Sequence, residues 1–148
     1  MAVRKAPDLV VAIPLRKPLV SFIMVQYVHE ERAKLNNLGK QYILDLKDCD
    51  PGILDDLEAL KVTLSSVVQQ THEEPLSESF YQFTPQGVSG LVLANGAHVC
   101  IHTWPEHNYA AMDIFTHNDG FNLDVASKLI IEKLGSRNPS ITEIKRGA

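Results

Sequence analysis

Asn95-Gly96 lies between two short apolar runs, Val88–Ala94 and Ala97–Thr103, and nothing else in the chain limits the fold so sharply. Two β-like runs joined by this dipeptide predict a tight type I′ hairpin, whose central residues both need φ > 0. The second run alternates small or apolar residues with His98, Cys100 and His102, so these three project from one face of a strand. Trp104-Pro105-Glu106 stops it, since proline cannot donate to a ladder, and Tyr109–Thr116 reads as a third strand. A chain with this centre builds an antiparallel sheet around it.

The flanking segments supply the rest of that sheet and its cover. Gln41–Lys47 alternates Tyr42, Leu44 and Leu46 against Asp45 and Lys47, the pattern of a half-buried strand. Asp50-Pro51 opens a helix, with Asp as cap and Pro at the first position. Ile53, Leu54, Leu57, Leu60, Leu64, Val67 and Val68 then form one apolar face through Gln69. Thr71–Glu78 is expected as a loop and Ser79–Thr84 as a strand ended by Pro85. After the Asn118-Asp119-Gly120 turn signal, Asn122 caps a second helix with Leu123, Ala126, Leu129, Ile130 and Leu134 inward. Gly135 suits its C′ position, Pro139 prevents continuation, and Ser140–Lys145 is a final strand. The pattern predicts an α/β (α+β) fold, a two-layer sandwich of a largely antiparallel sheet with two amphipathic helices on one face. A length of 148 residues fits one such domain.

Residues 1–37 stand apart as an N-terminal extension. Leu19–Val28 is rich in β-branched and aromatic residues and is expected to add a strand that covers a sheet edge. An arm docking on a partner subunit is the alternative. Pro14, Arg16, Lys17 and Pro18 interrupt the apolar residues here, so neither run reaches the ~18–20 needed to cross a membrane. A net charge of −4 without a basic block gives no footprint for nucleic acid or an anionic membrane. Two cysteines, Cys49 and Cys100, are too few for a disulfide framework. These features predict a cytoplasmic protein.

Gly87-Val88-Ser89-Gly90, then His98, then Ile101-His102-Thr103-Trp104-Pro105-Glu106 and Tyr109-Ala110-Ala111 together resemble the core of the bacterial and archaeal S-adenosylmethionine decarboxylases. Those enzymes make the aminopropyl donor for spermidine, so the resemblance implies a place in polyamine biosynthesis. It runs from about Leu38 to Gly147 and defines a domain over 38–148. It implies the two-layer fold and a homodimer. It also implies that Phe83 and Trp104 flank an adenine and that Glu106 holds ribose hydroxyls. Ser89 and His102 match residues that assist self-processing.

The chain departs from the family where the chemistry is concentrated. In the family, a Glu-Ser dipeptide precedes the residue matching His98; the chain cleaves there and the Ser becomes a pyruvoyl group. Here the two positions are Gly96 and Ala97. An acyl shift needs a hydroxyl or thiol, and Ala97 has neither. The family's proton-donating Cys after Phe-Thr is replaced by His117. Cys100 lies three positions from Ala97, on the opposite face of the strand, and does not substitute for the missing nucleophile.

These departures predict a pseudoenzyme without a pyruvoyl cofactor. It is expected to bind an S-adenosylmethionine-like small molecule, or to pair with and regulate an active decarboxylase paralogue. A second reading is altered acid/base or metal chemistry using His98, Cys100, His102 and His117, with His107 as a further ligand. A third is a structural or interaction protein whose pocket has closed.

Overall fold

The structure is a computed structural model that describes residues 4–5 and 38–147. The expected strand at Leu19–Val28 lies outside the described residues. Seven strands form one sheet: β1 (Arg4–Lys5), β2 (Gly39–Lys47), β3 (Pro75–Gln82), β4 (Val88–Ala94), β5 (Ala97–Trp104), β6 (Tyr109–Thr116) and β7 (Asn138–Arg146). Their spatial order is β1-β7-β2-β6-β5-β4-β3. Every pairing is antiparallel except the two-residue contact of β1 with β7. β2 sits between two strands from the C-terminal third of the chain, with Leu44 opposite Met112 on one side and Ile141 on the other.

Alternation along the strands assigns the two faces. Tyr42, Leu44, Leu46, Val88, Val92, Val99, Ile101, Ala110, Met112 and Ile114 are buried on one face. The helices α1 (Pro51–Leu54), α2 (Leu57–Gln69) and α3 (Leu123–Leu134) close that face with Leu54, Leu60, Leu64, Val67, Ile130 and Leu134. The other face is uncovered by any described element. The α+β sandwich is therefore as the sequence predicts.

The helical layer departs from the expectation of two helices, because the first is split. Asp55 and Asp56 each put a carboxylate to work on backbone outside a continuous helix, the competition that makes Asp a helix breaker. Asp56 caps α2 by accepting from Ala59 N at 3.0 Å. Asp55 accepts from Gly87 N at 2.8 Å, and its carbonyl accepts from Gln82 Nε2 at 2.8 Å, fastening the break to the β3–β4 connection. Asp50 caps α1, Asn122 caps α3 through Val125 N, and Gly135 ends α3 at φ 64°, as expected.

Three boundaries also move. β3 begins at Pro75 within the expected loop; it is the sheet's outermost strand, where a missing N–H costs no ladder bond. Pro139 falls inside β7, whose outer edge is paired only at Thr142 and Glu143. The Asn95-Gly96 hairpin forms with its two-residue loop, but neither residue has positive φ. The Gly96 carbonyl accepts instead from His117 N, just beyond β6, at 3.1 Å, a tertiary contact that competes with the type I′ geometry.

Candidate functional site

The cross-strand registers place one row of side chains across the open face: Tyr81 on β3, Ser89 on β4, His102 on β5, Ala111 on β6 and Asp45 on β2. At its centre Ser89 Oγ and His102 Nδ1 share a hydrogen bond of 2.7 Å. Two residues further along β5, Trp104 stacks on Tyr109 with ring centres 5.5 Å apart, and His102 lies 6.3 Å from the indole. The Tyr109 hydroxyl donates to Asp45 Oδ1 at 2.5 Å. A hydroxyl beside a base, with an aromatic platform next to it, is an arrangement suited to holding a flat, polar molecule.

Thr103 is what holds this row against the helical layer. Its buried hydroxyl accepts from Val88 N at 2.8 Å and donates to Leu54 O at 2.7 Å, joining β4, β5 and the end of α1. Gly87 meets the same strand: at φ 99°, a Cβ there would lie 2.9 Å from Thr103 O. A side chain at 87 would push β4 away from β5 just where Ser89 must meet His102.

Of the predicted binding residues, Trp104 stacks on Tyr109 on the open face, and the Phe83 ring lies edge-on to Tyr81 at 4.8 Å. Glu106 sits in the single 3-10 turn after β5 and accepts from Gln86 Nε2 at 3.2 Å. It lines a groove of about 750 Å³ with Asp55, Asp56, Glu58 and Gln86, beside the α1–α2 break. The groove is acidic, and neither Phe83 nor Trp104 lines it.

The alternative metal set is dispersed. His98 stacks on Phe115 at 5.5 Å, Cys100 stands opposite Asp113, and His102 bonds Ser89. Among the described residues no three His, Cys, Asp or Glu side chains converge to hold an ion. Burial, and then the Asp113 charge, push the Cys100 thiol above its ordinary pKa, which keeps it protonated and a poor nucleophile.

At the junction that matches the family's cleavage site, Gly96 is the second residue of the hairpin loop and Ala97 the first of β5. Ala97 is 4% exposed and paired with Thr116, its methyl turned to the core. The His117 imidazole lies over Gly96: a Cβ at 96 would come within 1.9 Å of His117 Nε2. Residues 96 and 117, far apart in sequence, thus share one volume. A pyruvoyl group does not fit the residues present, since position 97 offers only a buried methyl.

Sequence reasoning missed the Asp45–Tyr109 bond and the His117 cover of Gly96. Each depends on a register between strands distant in sequence; a carboxylate inside an apolar strand was the only local hint of the first. The bond makes a testable contribution. The Asp45 carboxylate, with some help from burial, pushes the Tyr109 phenol up to about 12 from an ordinary value near 10. A folded value above the unfolded one means stability that is complete below pH ~10 and lost as pH rises towards ~12. Tyr109→Phe should therefore flatten the fall in urea midpoint across that window. An unchanged fall would show that Tyr109 does not cause it.

Similarity to known proteins converges on one family. A family model described as S-adenosylmethionine decarboxylase matches residues 40–147. The S-adenosylmethionine decarboxylase proenzyme of Thermodesulfovibrio yellowstonii is 40% identical over 110 residues, covering 74% of this chain and 82% of the relative. That of Clostridium tetani is 40% identical over 113 residues, covering 76% and 90%. The crystal structure of adenosylmethionine decarboxylase from Aquifex aeolicus superposes with a TM-score of 0.70 at 32% identity, over 76% of this chain and 93% of that one. A Trypanosoma brucei AdoMetDC monomer shares the fold at 19% identity, with a TM-score of 0.51 over 69% and 44%.

Proposed function

This chain belongs to the S-adenosylmethionine decarboxylase family, and on that premise we propose that it is a member which does not mature. It stays uncut and binds an S-adenosylmethionine-like nucleoside on the open face, or pairs with and regulates an active decarboxylase of polyamine biosynthesis. The observation that carries this reading is the 96–97 junction. Ala97 has no group able to attack the preceding carbonyl, and Gly96 is bonded through its carbonyl to His117 N and covered by the His117 ring. In mature relatives the pyruvoyl group supplies an electron sink for the carbanion left by loss of CO₂. No side chain of the open face replaces it.

The residues kept from the family point to binding. Ser89 and His102 remain bonded to one another, and Trp104 remains as a stacking surface 39% exposed. A cationic sulfonium over the indole adds about 1 kcal/mol or more to the stacking. Titration calorimetry with S-adenosylmethionine should show binding without turnover, weakened by Trp104→Ala. No heat with millimolar ligand and a demonstrably folded protein would end the nucleoside reading.

Maturation has its own test. The purified chain should give one intact mass of 16.5 kDa. Two fragments dividing at Gly96, one carrying a borohydride-reducible carbonyl, would overturn the proposal.

A homodimer is part of the same reading. Ile43, Leu91 and Leu93 are all more than a third exposed on the open face, an apolar surface that a second copy could bury. Light scattering should report a dimer at tens of micromolar, and Leu93→Glu should shift it to monomer. A monomeric parent protein would count against the assembly. No helix among the described residues is long and apolar enough to cross a membrane.

A further inference from the structure

Asn95 is the one asparagine among the described residues placed to react with its own backbone. Five are described, and the other four are held or blocked. Asn108 donates through Nδ2 to Cys49 O at 3.1 Å, Asn118 donates to Thr71 O at 2.8 Å, and Asn122 accepts from Val125 N at 3.1 Å. Asn138 precedes Pro139, which has no backbone N–H to serve as a nucleophile. Asn95 differs on every count. It is exposed at the tip of the β4–β5 hairpin, and its amide bonds to no described residue. The residue after it is Gly96, in the only Asn-Gly pair of the chain. Gly96 N has no backbone acceptor among the described residues, and the missing Cβ leaves that nitrogen a clear approach to the Asn95 side chain.

A proton carrier stands beside this peptide. The His117 ring lies over Gly96, with Nε2 1.9 Å from where a Cβ would be. Any Cβ lies about 2.5 Å from its own residue's nitrogen, so Nε2 comes within about 4.4 Å of Gly96 N. The His117 backbone N–H donates to Gly96 O at 3.1 Å, which ties the ring's own residue to the loop. Imidazole is the side chain that most often moves protons near neutral pH. Electrophile, nucleophile and base thus meet at one exposed turn.

We propose that Asn95-Gly96 is a self-modification site, at which Asn95 closes to a cyclic imide on Gly96 N while His117 takes the proton. Gly96 N loses its hydrogen to the imidazole and bonds Asn95 Cγ. The Cγ–Nδ2 bond then breaks, and the proton leaves with Nδ2 as ammonia. Water opens the ring at either carbonyl. Attack at Cγ leaves aspartate; attack at the backbone carbon leaves isoaspartate, in which the main chain runs through the side chain. Neither product cuts the chain, and both put a carboxylate at the hairpin tip. Isoaspartate also adds one backbone carbon to a two-residue loop whose ends, Ala94 and Ala97, are buried.

The test incubates the folded full chain for days in warm neutral buffer made with water enriched in heavy oxygen. Peptide mass spectrometry should find residue 95 converted from amide to acid with heavy oxygen incorporated, and Asn108, Asn118 and Asn122 unchanged. An isoaspartyl methyltransferase, which labels only the isomer, should label the same peptide. Asn95→Gln should abolish the conversion, because the longer side chain closes a ring far more slowly. His117→Phe keeps a ring over Gly96 without the proton carrier and should slow the conversion about tenfold, below the usual gain from a buried acid–base group. His117→Ala should be slowed likewise and recover on addition of free imidazole, a rescue that a packing role does not allow. A residue 95 that stays amide in the folded protein, or converts no faster than Asn118, would overturn the site. An unchanged rate in both His117 variants would overturn the part given to the imidazole. Cleavage after Asn95 would mean that Nδ2 attacks the backbone carbonyl instead, and would overturn closure on Gly96 N. Such fragments end at residue 95 rather than 96, which keeps them distinct from maturation.

Discussion

Thr103→Val is expected to destabilise the fold by about 2–4 kcal/mol. Valine has nearly the volume of threonine, so no cavity is created, and the loss comes from hydrogen bonding alone. Thr103 Oγ1 accepts from Val88 N and donates to Leu54 O. With a methyl in its place both backbone groups stay buried without a partner, at about 1–3 kcal/mol each. Thr103→Ser keeps the hydroxyl and loses one methyl, at about 0.8 kcal/mol. Urea unfolding of the two variants separates bond from volume. A Thr103→Val loss under about 1 kcal/mol would show that the hydroxyl does not join the layers. The same variant should lengthen or break the Ser89–His102 contact, because β4 and β5 are fixed to each other beside it.

The second large effect concerns the junction. Ala97→Ser alone is expected to leave the chain uncut, despite restoring a hydroxyl. Gly96 O is bonded to His117 N, residue 97 faces the core opposite Thr116, and the His117 ring fills the space over residue 96. The triple variant Gly96→Glu, Ala97→Ser, His117→Cys should differ sharply. It replaces the imidazole that fills the space over residue 96 while returning all three family residues. Mass spectrometry should then move from no cleaved chain in Ala97→Ser to a substantial cleaved fraction in the triple. Cleavage of Ala97→Ser by itself would mean that only the nucleophile had been lost and that the junction geometry is competent.

What could be read from the residues was whatever local chemistry decides. Period-two alternation placed β5 and β6 to within a residue, because burial on one face fixes strand register. The Asn122 cap and Gly135 stop fixed α3 because orphan backbone groups need partners at fixed offsets. The α1–α2 break was hidden: Leu57 continues the apolar period of the preceding turn, and only the Asp55–Gly87 bond, across the fold, shows why the helix parts. The hairpin dipeptide predicted a loop of the right length and the wrong dihedrals, because the pull on Gly96 comes from His117, just past the end of β6. For the site, alternation showed that His98, Cys100 and His102 share a face. It could not show that their partners are Phe115, Asp113 and Ser89, which scatters them as a set. The bond of Glu106 to Gln86 was equally out of reach, since it depends on how the 3-10 turn leaves the sheet.

The place of β2 has a consequence for how the chain reaches this state. Its two neighbours, β6 and β7, are made long after it: Lys40 pairs with Thr116 on one side and Lys145 on the other. During synthesis β2 therefore waits with one edge open until β6 emerges and the other until β7 does. Loops of this length must close before the pairing is rewarded, which puts refolding in the slow, millisecond-to-second class of sheet-dominated domains. Loss of β7 would remove one neighbour of the central strand rather than trim an end. A nascent chain stalled before Asn138 should accordingly depend on a chaperone, whereas the finished chain should refold unaided.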